Sequence, residues 1–338
     1  ADAEAAAATA EHILWLLTEP FVIGDQELFA TASIGISCFP ADGDDPSVLL
    51  RAADAAMYKA KDEGRNTYQF YSTELNVQAL ESLTIANRLR TAVERDEFFL
   101  DFQPIVELKT QRIKSVEALI RWQHPELGLV PPMRFIPVAE QTGLILEIGT
   151  WVLETACRQA AAWQKNGMCP LVVAVNVSLR QLRQRDFAKQ VAHILEKTGL
   201  APEYLKLEIT ETTVMDNPER AIRLFAEVAK TGVKIAIDDF GIGYSSLNYL
   251  KRLPIDYLKI DRSFVKDLPD NADDAAITRA IIAMAHSLGL RLVAEGIEET
   301  SQFDFLRQAG CEEGQGFLFS KPARPDDLKR ILRKGKVA

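Results

Sequence analysis

The chain has 338 residues, with 39 Lys and Arg against 48 Asp and Glu for a net charge of −9, and it is 47% apolar and 26% charged. At about 150 residues per domain that makes two domains, or one barrel with an appendage, and the composition excludes a disordered chain, a collagenous repeat or a coiled-coil rod. The acidity argues against a protein that coats a DNA or RNA duplex, and no apolar run reaches the ~18 residues of a membrane span, so membrane contact by this chain is not expected.

In chain order, the alanine-rich opening lacks the basic and apolar regions of a signal peptide and reads as a cut into a longer protein. A helical stretch at 11–17 precedes a β-rich run at 28–37, a turn-rich 40–46 and a helix at 47–62; Gly64, Arg65 and Asn66 then break the chain before an extended 68–71. Leu75, Leu80, Leu83, Leu89 and Val93 recur at roughly helical spacing, which predicts a connector helix over 73–97. Beyond it, predicted strands at 98–106, 113–122, 171–178, 205–210, 233–239, 257–261, 291–295 and 314–319 alternate with helical segments. That alternation describes a (β/α) barrel or a doubly wound sheet. Cys38, Cys157, Cys169 and Cys311 lie far apart, with neither a zinc spacing nor a disulfide framework, so a reducing, cytoplasmic setting is expected.

Side chains alternate faces along a strand. Taking Leu205, Leu207 and Ile209 as the outer set leaves Lys206 and Glu208 inside; Leu258 and Ile260 leave Lys259 and Asp261. The same phase leaves Glu117 and Arg121, Asn176, Asp238 and Glu295 facing inward, with Gln103 and Gln315 on the first and last strands. These polar residues lie towards the C-terminal ends of their strands, where a barrel assembles its active site. One such residue alone is more often an edge residue or, for Asp238 and Asp239, a helix cap. Agreement across several strands is the stronger signal. Glu117, Asn176, Glu208, Asp238 and Asp239 are hard oxygen donors suited to Mg²⁺ or Mn²⁺, and adjacent aspartates fit a pair of ions acting at phosphorus. His12, His124, His193 and His286 have no metal-like spacing.

Glu117-Ala118-Leu119 followed by Arg121-Trp122 resembles the signature of the EAL domain, the family of cyclic di-GMP phosphodiesterases. So do QPIV at 103–106, NVS at 176–178, EITE at 208–211, DDFGIGYSSL at 238–247, LKID at 258–261, AEGIE at 294–298 and QGFLFSKP at 315–322. The resemblance implies an α/β fold, a modified (β/α)8 TIM-like barrel over 98–338 whose first strand runs against the others. It also implies hydrolysis of one phosphodiester of cyclic di-GMP to linear pGpG with two Mg²⁺ or Mn²⁺ ions per site. Glu117, Asn176, Glu208 and Asp238 would hold one ion and Asp238 with Asp239 the second. Lys259 would orient the nucleophilic water, Glu295 would act as base or hold a bound water, and Glu211 would brace the loop at 240–246. Gln103, Leu119, Arg121, Asp261, Glu298 and Gln315 would contact the nucleotide. Family habit adds a homodimer through the barrel, near 240–250. Ile242 departs from the small polar residue frequent at its position.

Residues 53–61 (ADAAMYKAK), followed by Gly64-Arg65-Asn66, resemble the C-terminal part of a GGDEF domain, the diguanylate cyclase fold. No Gly-Gly dipeptide exists in the chain, so residues 1–72 are expected to be an α+β fragment without a cyclase site. Two other readings compete with the enzyme: a catalytically silent cyclic di-GMP receptor signalling through the connector, and an enolase-type barrel in which Lys259 takes a proton beside a carboxylate.

Overall fold

The structure is a computed structural model and describes residues 3–18, 20–23, 26–215, 217–242 and 247–334. It divides into two compact units, Ala1–Arg88 and Leu89–Ala338.

In the first unit, helix α1 (Ala3–Leu16) is followed by an antiparallel pair, β1 (Phe21–Ile23) and β2 (Gln26–Leu28). Strand β3 (Ile34–Ile36) pairs in parallel with β4 (Tyr68–Phe70), and helix α2 (Pro46–Asp62) is the crossover that parallel pairing requires. Its start is written locally: Asp45 accepts a hydrogen bond from the Ser47 amide at 2.8 Å, and Pro46 supplies a preset first turn. Ala52, Ala56 and Ala60 form its buried stripe. The helix lies so close to β3 that a Cβ on Gly35 would stand 1.9 Å from the Ala53 carbonyl oxygen.

Helix α3 (Thr73–Leu89) is shorter than the predicted 73–97, and residues 90–96 form turns. The helix cannot reach Glu97, because that residue runs alongside the barrel. Its carbonyl accepts from the Gln123 amide at 2.8 Å and its carboxylate from the Trp122 indole at 2.9 Å.

The second unit is the barrel. Its strands are β5 (Phe98–Glu107), β6 (Arg112–His124), β7 (Gly128–Val130), β8 (Val172–Asn176), β9 (Leu205–Thr210), β10 (Lys234–Phe240), β11 (Tyr257–Ile260), β12 (Arg291–Ala294) and β13 (Glu313–Gly314). They run in the order β5-β13-β12-β11-β10-β9-β8-β6, and pairing of β5 with β6 closes the ring; β7 extends β6 on its outer end. Strand β5 is antiparallel to both neighbours while the other strands of the closed ring are mutually parallel, as the resemblance implied.

The predicted strands agree with these bounds within two residues, except the last. Residues 317–319 form a turn, because the chain wraps closely around Ile297: Ile297 N–H donates to Gln315 O and Leu318 N–H to Ile297 O, each at 3.0 Å. Only glycine fits at 316, where a Cβ would lie 2.0 Å from the Ile297 oxygen.

Alternation sorts the strand residues as expected. Phe98 packs on Trp122, Phe135 and Trp151, and Phe102 on Trp163, where β5 and β6 meet the outer helices Pro132–Thr142 and Ile145–Lys165; all but the half-buried Trp151 are buried. Such aromatic contacts contribute about 0.5–1.5 kcal/mol each beyond burial. The opposite phase fills the lumen, where Ile105, Ala236, Tyr257 and Val293 form a buried cluster. Among the described residues, no helix is long and apolar enough to cross a membrane.

Candidate active site

One step along each strand from that apolar cluster, the lumen turns polar. Gln103 follows Ile105 on the reversed β5, Asp238 follows Ala236, Lys259 follows Tyr257 and Glu295 follows Val293, each two residues on and therefore on the same face. Register completes the ring: Gln103 lies opposite Glu117, and Asn176 opposite Glu208.

Lys259 is the centre of the cluster. Its fully buried ammonium lies 2.6 Å from Glu295 Oε1, 2.7 Å from Glu208 Oε2, 3.1 Å from Asp238 Oδ1 and 3.9 Å from Glu117 Oε2. Carboxylates from β6, β9 and β10 and from the residue just past β12 thus share one cation. Glu117 is held further by Asn176 Nδ2 at 2.7 Å and Gln315 Nε2 at 2.6 Å, and Gln315 also donates to Gln103 Oε1 at 3.0 Å. Gln103 in turn donates to the Ser320 carbonyl.

Strict alternation would put Asp239 on the outer face. A register shift between Ile237 and Phe240 and a left-handed backbone at Asp239 (φ 54°) re-aim it. As a result Asp238, Asp239 and Glu295 bring one ligand oxygen each within 4.8 Å of one another, a group able to hold a cation. The donors are all carboxylate oxygens. Two buried oxygens nearby, Glu208 Oε1 and Gln315 Oε1, have no hydrogen-bond partner among the described residues. That donor set fits a hard divalent ion and not a soft one.

Burial pushes Glu295 up to about 8 and Glu208 up to about 7, with the Lys259 charge opposing it in both. Burial, with Asp238 beside it, also raises Asp239. Burial acts in the same direction on Glu117, yet Lys259 and the hydrogen bonds from Gln315 and Asn176 outweigh it and hold Glu117 below the ordinary carboxylate value. Burial alone would lower Lys259, but Asp238, Glu117, Glu208 and Glu295 keep it well above 10.5. The ammonium is therefore a fixed donor.

The remaining predicted residues lie around this core. Buried Glu211 accepts from the Gly241 amide at 2.8 Å, at the start of the expected loop; residues 243–246 of that loop lie outside the described residues. Leu119 is half-buried on β6, and Arg121 pairs with Asp101 at 3.1 Å. Asp261 caps the turn after β11 by accepting from the Ser263 amide, and exposed Glu298 pairs with Arg262 at 2.9 Å. The histidines stay outside the cluster: His124 Nδ1 accepts from the Glu126 and Leu127 amides, and His286 meets Glu312.

Two neighbours were given no role by the sequence reading. Lys206, placed inside by its phase and buried as expected, lies 3.6 Å from Glu208 Oε1 and 4.6 Å from the centre of the Tyr257 ring. Asp101 shares the phase of Gln103 and binds both Arg121 and Arg324.

Comparison with known proteins places this geometry. The EAL domain model matches residues 86–322, and the model described as diguanylate cyclase, GGDEF domain, matches residues 1–67. The bifunctional diguanylate cyclase/cyclic di-GMP phosphodiesterase MucR of Pseudomonas aeruginosa is 44% identical over 323 residues, covering 96% of this chain and 47% of that protein. The cyclic di-GMP phosphodiesterase PdeR of Escherichia coli is 39% identical over 315 residues, covering 93% of this chain and 47% of its own length. The chain thus spans just under half of these relatives. A solved structure described as the PaMucR phosphodiesterase in complex with c-di-GMP superposes with a TM-score of 0.70 at 44% identity, covering 72% of this chain and 99% of that one. With its closed barrel and its ring of acids around one lysine, this chain belongs to the EAL domain family and carries a GGDEF-matching segment ahead of the barrel.

Proposed function

We propose that the barrel is a divalent-cation-dependent phosphodiesterase that opens one phosphodiester of cyclic di-GMP to linear 5'-pGpG. The observation that carries the reading is the buried Lys259 ammonium shared by four acids, with Asp238, Asp239 and Glu295 converging beside it. Relatives named as cyclic di-GMP phosphodiesterases support the substrate.

In this reading Glu117, Asn176, Glu208 and Asp238 would hold one Mg²⁺ or Mn²⁺ ion, and Asp238 with Asp239 would hold a second. Such ions, when bound, make water a stronger nucleophile at neutral pH and neutralise charge at phosphorus. Lys259, fixed as a donor, orients the water. Glu295, which converges with Asp238 and Asp239 beside the Lys259 ammonium, accepts a proton from it. One water is consumed and one P–O bond breaks, leaving a 5'-phosphate and a 3'-hydroxyl. Glu211 steadies the loop through Gly241, while Gln103, Leu119, Arg121, Asp261, Glu298 and Gln315 contact the nucleotide. The proposal assigns the activity to the cytoplasm and to a homodimer near exposed Ile242. Product identification after incubation with Mg²⁺ or Mn²⁺ tests it: pGpG should form, Glu117→Ala should abolish it, and binding without turnover in either metal would favour the silent receptor.

A further inference from the structure

The mouth of the barrel carries a second group of charged side chains, Asp101, Arg121 and Arg324, of which the hydrolytic reading uses only Arg121. Strand β5 runs against its neighbours, so its N-terminal end lies at the end of the barrel where the other strands finish. Phe98, Leu100 and Phe102 are buried on its outer face, which puts Phe99, Asp101 and Gln103 on the lumen face. With a rise of about 3.4 Å per residue, Asp101 stands roughly 7 Å further out than Gln103, and Phe99 roughly 14 Å. Across the pair, Leu119 is opposite Asp101 and Arg121 opposite Phe99.

Arg324 reaches the same place from a distant part of the chain. Residues 102 and 323 exchange backbone hydrogen bonds of 2.8 and 3.0 Å, tying the segment to β5. The Arg324 guanidinium carbon then lies 3.2 Å from the centre of the Phe99 ring, and its Nε is 3.7 Å from Asp101 Oδ1. The other oxygen, Asp101 Oδ2, takes Arg121 Nε at 3.1 Å. Two guanidiniums therefore share one carboxylate, leaving a net positive charge at the rim of an acidic cavity. Arg121 is mostly buried, whereas Arg324 is half exposed and presents donors outward.

A cyclic dinucleotide carries two phosphodiesters, and only one can lie over the acids and Lys259. We propose that Arg324 joins Arg121, already placed at the nucleotide, in binding the second, intact phosphodiester, with Asp101 fixing both guanidiniums in place. The inference rests on the proposed substrate. A planar guanidinium suits a phosphate because two of its donors meet two oxygens. Stacking on Phe99 and pairing with Asp101 hold Arg324 in position, so little freedom is lost on binding.

The test uses the full chain, with dissociation constants measured by calorimetry in EDTA and steady-state kinetics in Mg²⁺. The probes are cyclic di-GMP and GpG, which has both guanines but a single phosphodiester. Arg324→Ala should weaken cyclic di-GMP and raise its KM by roughly tenfold, with kcat within about twofold. Affinity for GpG should stay within about twofold, and Arg324→Lys should recover part of the loss. An unchanged cyclic di-GMP constant would overturn the proposal. Equal weakening of GpG would also overturn it, by showing that Arg324 reads a base. A wild-type protein without turnover would defeat the hydrolytic reading instead, while the constants in EDTA would still judge the subsite.

Discussion

Replacing Lys259 with methionine keeps the apolar stem and removes the one charge that four carboxylates share. The ammonium contacts Glu295, Glu208 and Asp238 within 3.1 Å and Glu117 at 3.9 Å, and it is fully buried. At the effective dielectric of such sites each close contact is an attraction of several kcal/mol, offset by desolvation and by repulsion among the acids. Removing one partner of a buried charge network costs about 3–5 kcal/mol, because the remaining charges stay buried without compensation. For a domain of this size that lowers Tm by roughly 10 °C at pH 8 without divalent ions. The deficit should shrink at pH 5.5, where Glu208 and Glu295, with pKa values of about 7 and about 8, are protonated and no longer repel. Turnover should fall by about 10²–10⁴-fold. Thermal unfolding followed by circular dichroism at both pH values reads the stability. A Lys259→Met protein as stable as the wild type at pH 8, or with a deficit independent of pH, would refute the reasoning.

Without divalent ions, the wild type itself should lose stability as pH rises from about 5 to about 8. A carboxyl whose folded pKa exceeds its unfolded value binds its proton more tightly when folded, so its stabilisation is complete below about pH 4.5 and is lost as pH rises to the folded pKa. Glu208 and Glu295 set that window; the lowered Glu117 acts only below it and the raised Lys259 only above. The loss should be on the order of 6 kcal/mol. Mg²⁺ or Mn²⁺ should flatten the curve, and urea titrations showing stability constant or rising over this range would contradict the assignment. Gly316→Ala should destabilise the barrel by about 3 kcal/mol or more, since the new methyl meets the Ile297 backbone and not a movable side chain. An unchanged Tm would show that the chain crosses Ile297 differently.

What the sequence made legible was the part governed by period-two alternation. The inward phase of Glu117, Glu208, Asp238, Lys259 and Glu295 follows from the apolar residues between them, and the register of the parallel strands then brings them together. Where the local rule breaks, alternation alone does not carry the reading. Asp239, named in the sequence as a hard donor beside Asp238, reaches the cation-binding group only through a bulge and a left-handed backbone, which no pattern announces. The last strand ends early because Gly316 packs against Ile297, a contact from another segment. The connector helix stops at Leu89 because Glu97 is recruited by Trp122 and Gln123, although the apolar spacing continues to Val93. Arg324 joins the mouth through a backbone pairing more than two hundred residues away in sequence, and only the closed ring reveals it.

The central claim is that the acid ring and Lys259 hydrolyse a cyclic dinucleotide with the help of divalent ions. The most direct measurement incubates purified protein with cyclic di-GMP in Mg²⁺, in Mn²⁺ and in EDTA, and identifies the products by chromatography and mass spectrometry. The account predicts pGpG with a divalent ion, none in EDTA, and none from Glu117→Ala in any condition. Intact cyclic di-GMP in both metals, or equal turnover in EDTA and Mg²⁺, would contradict it.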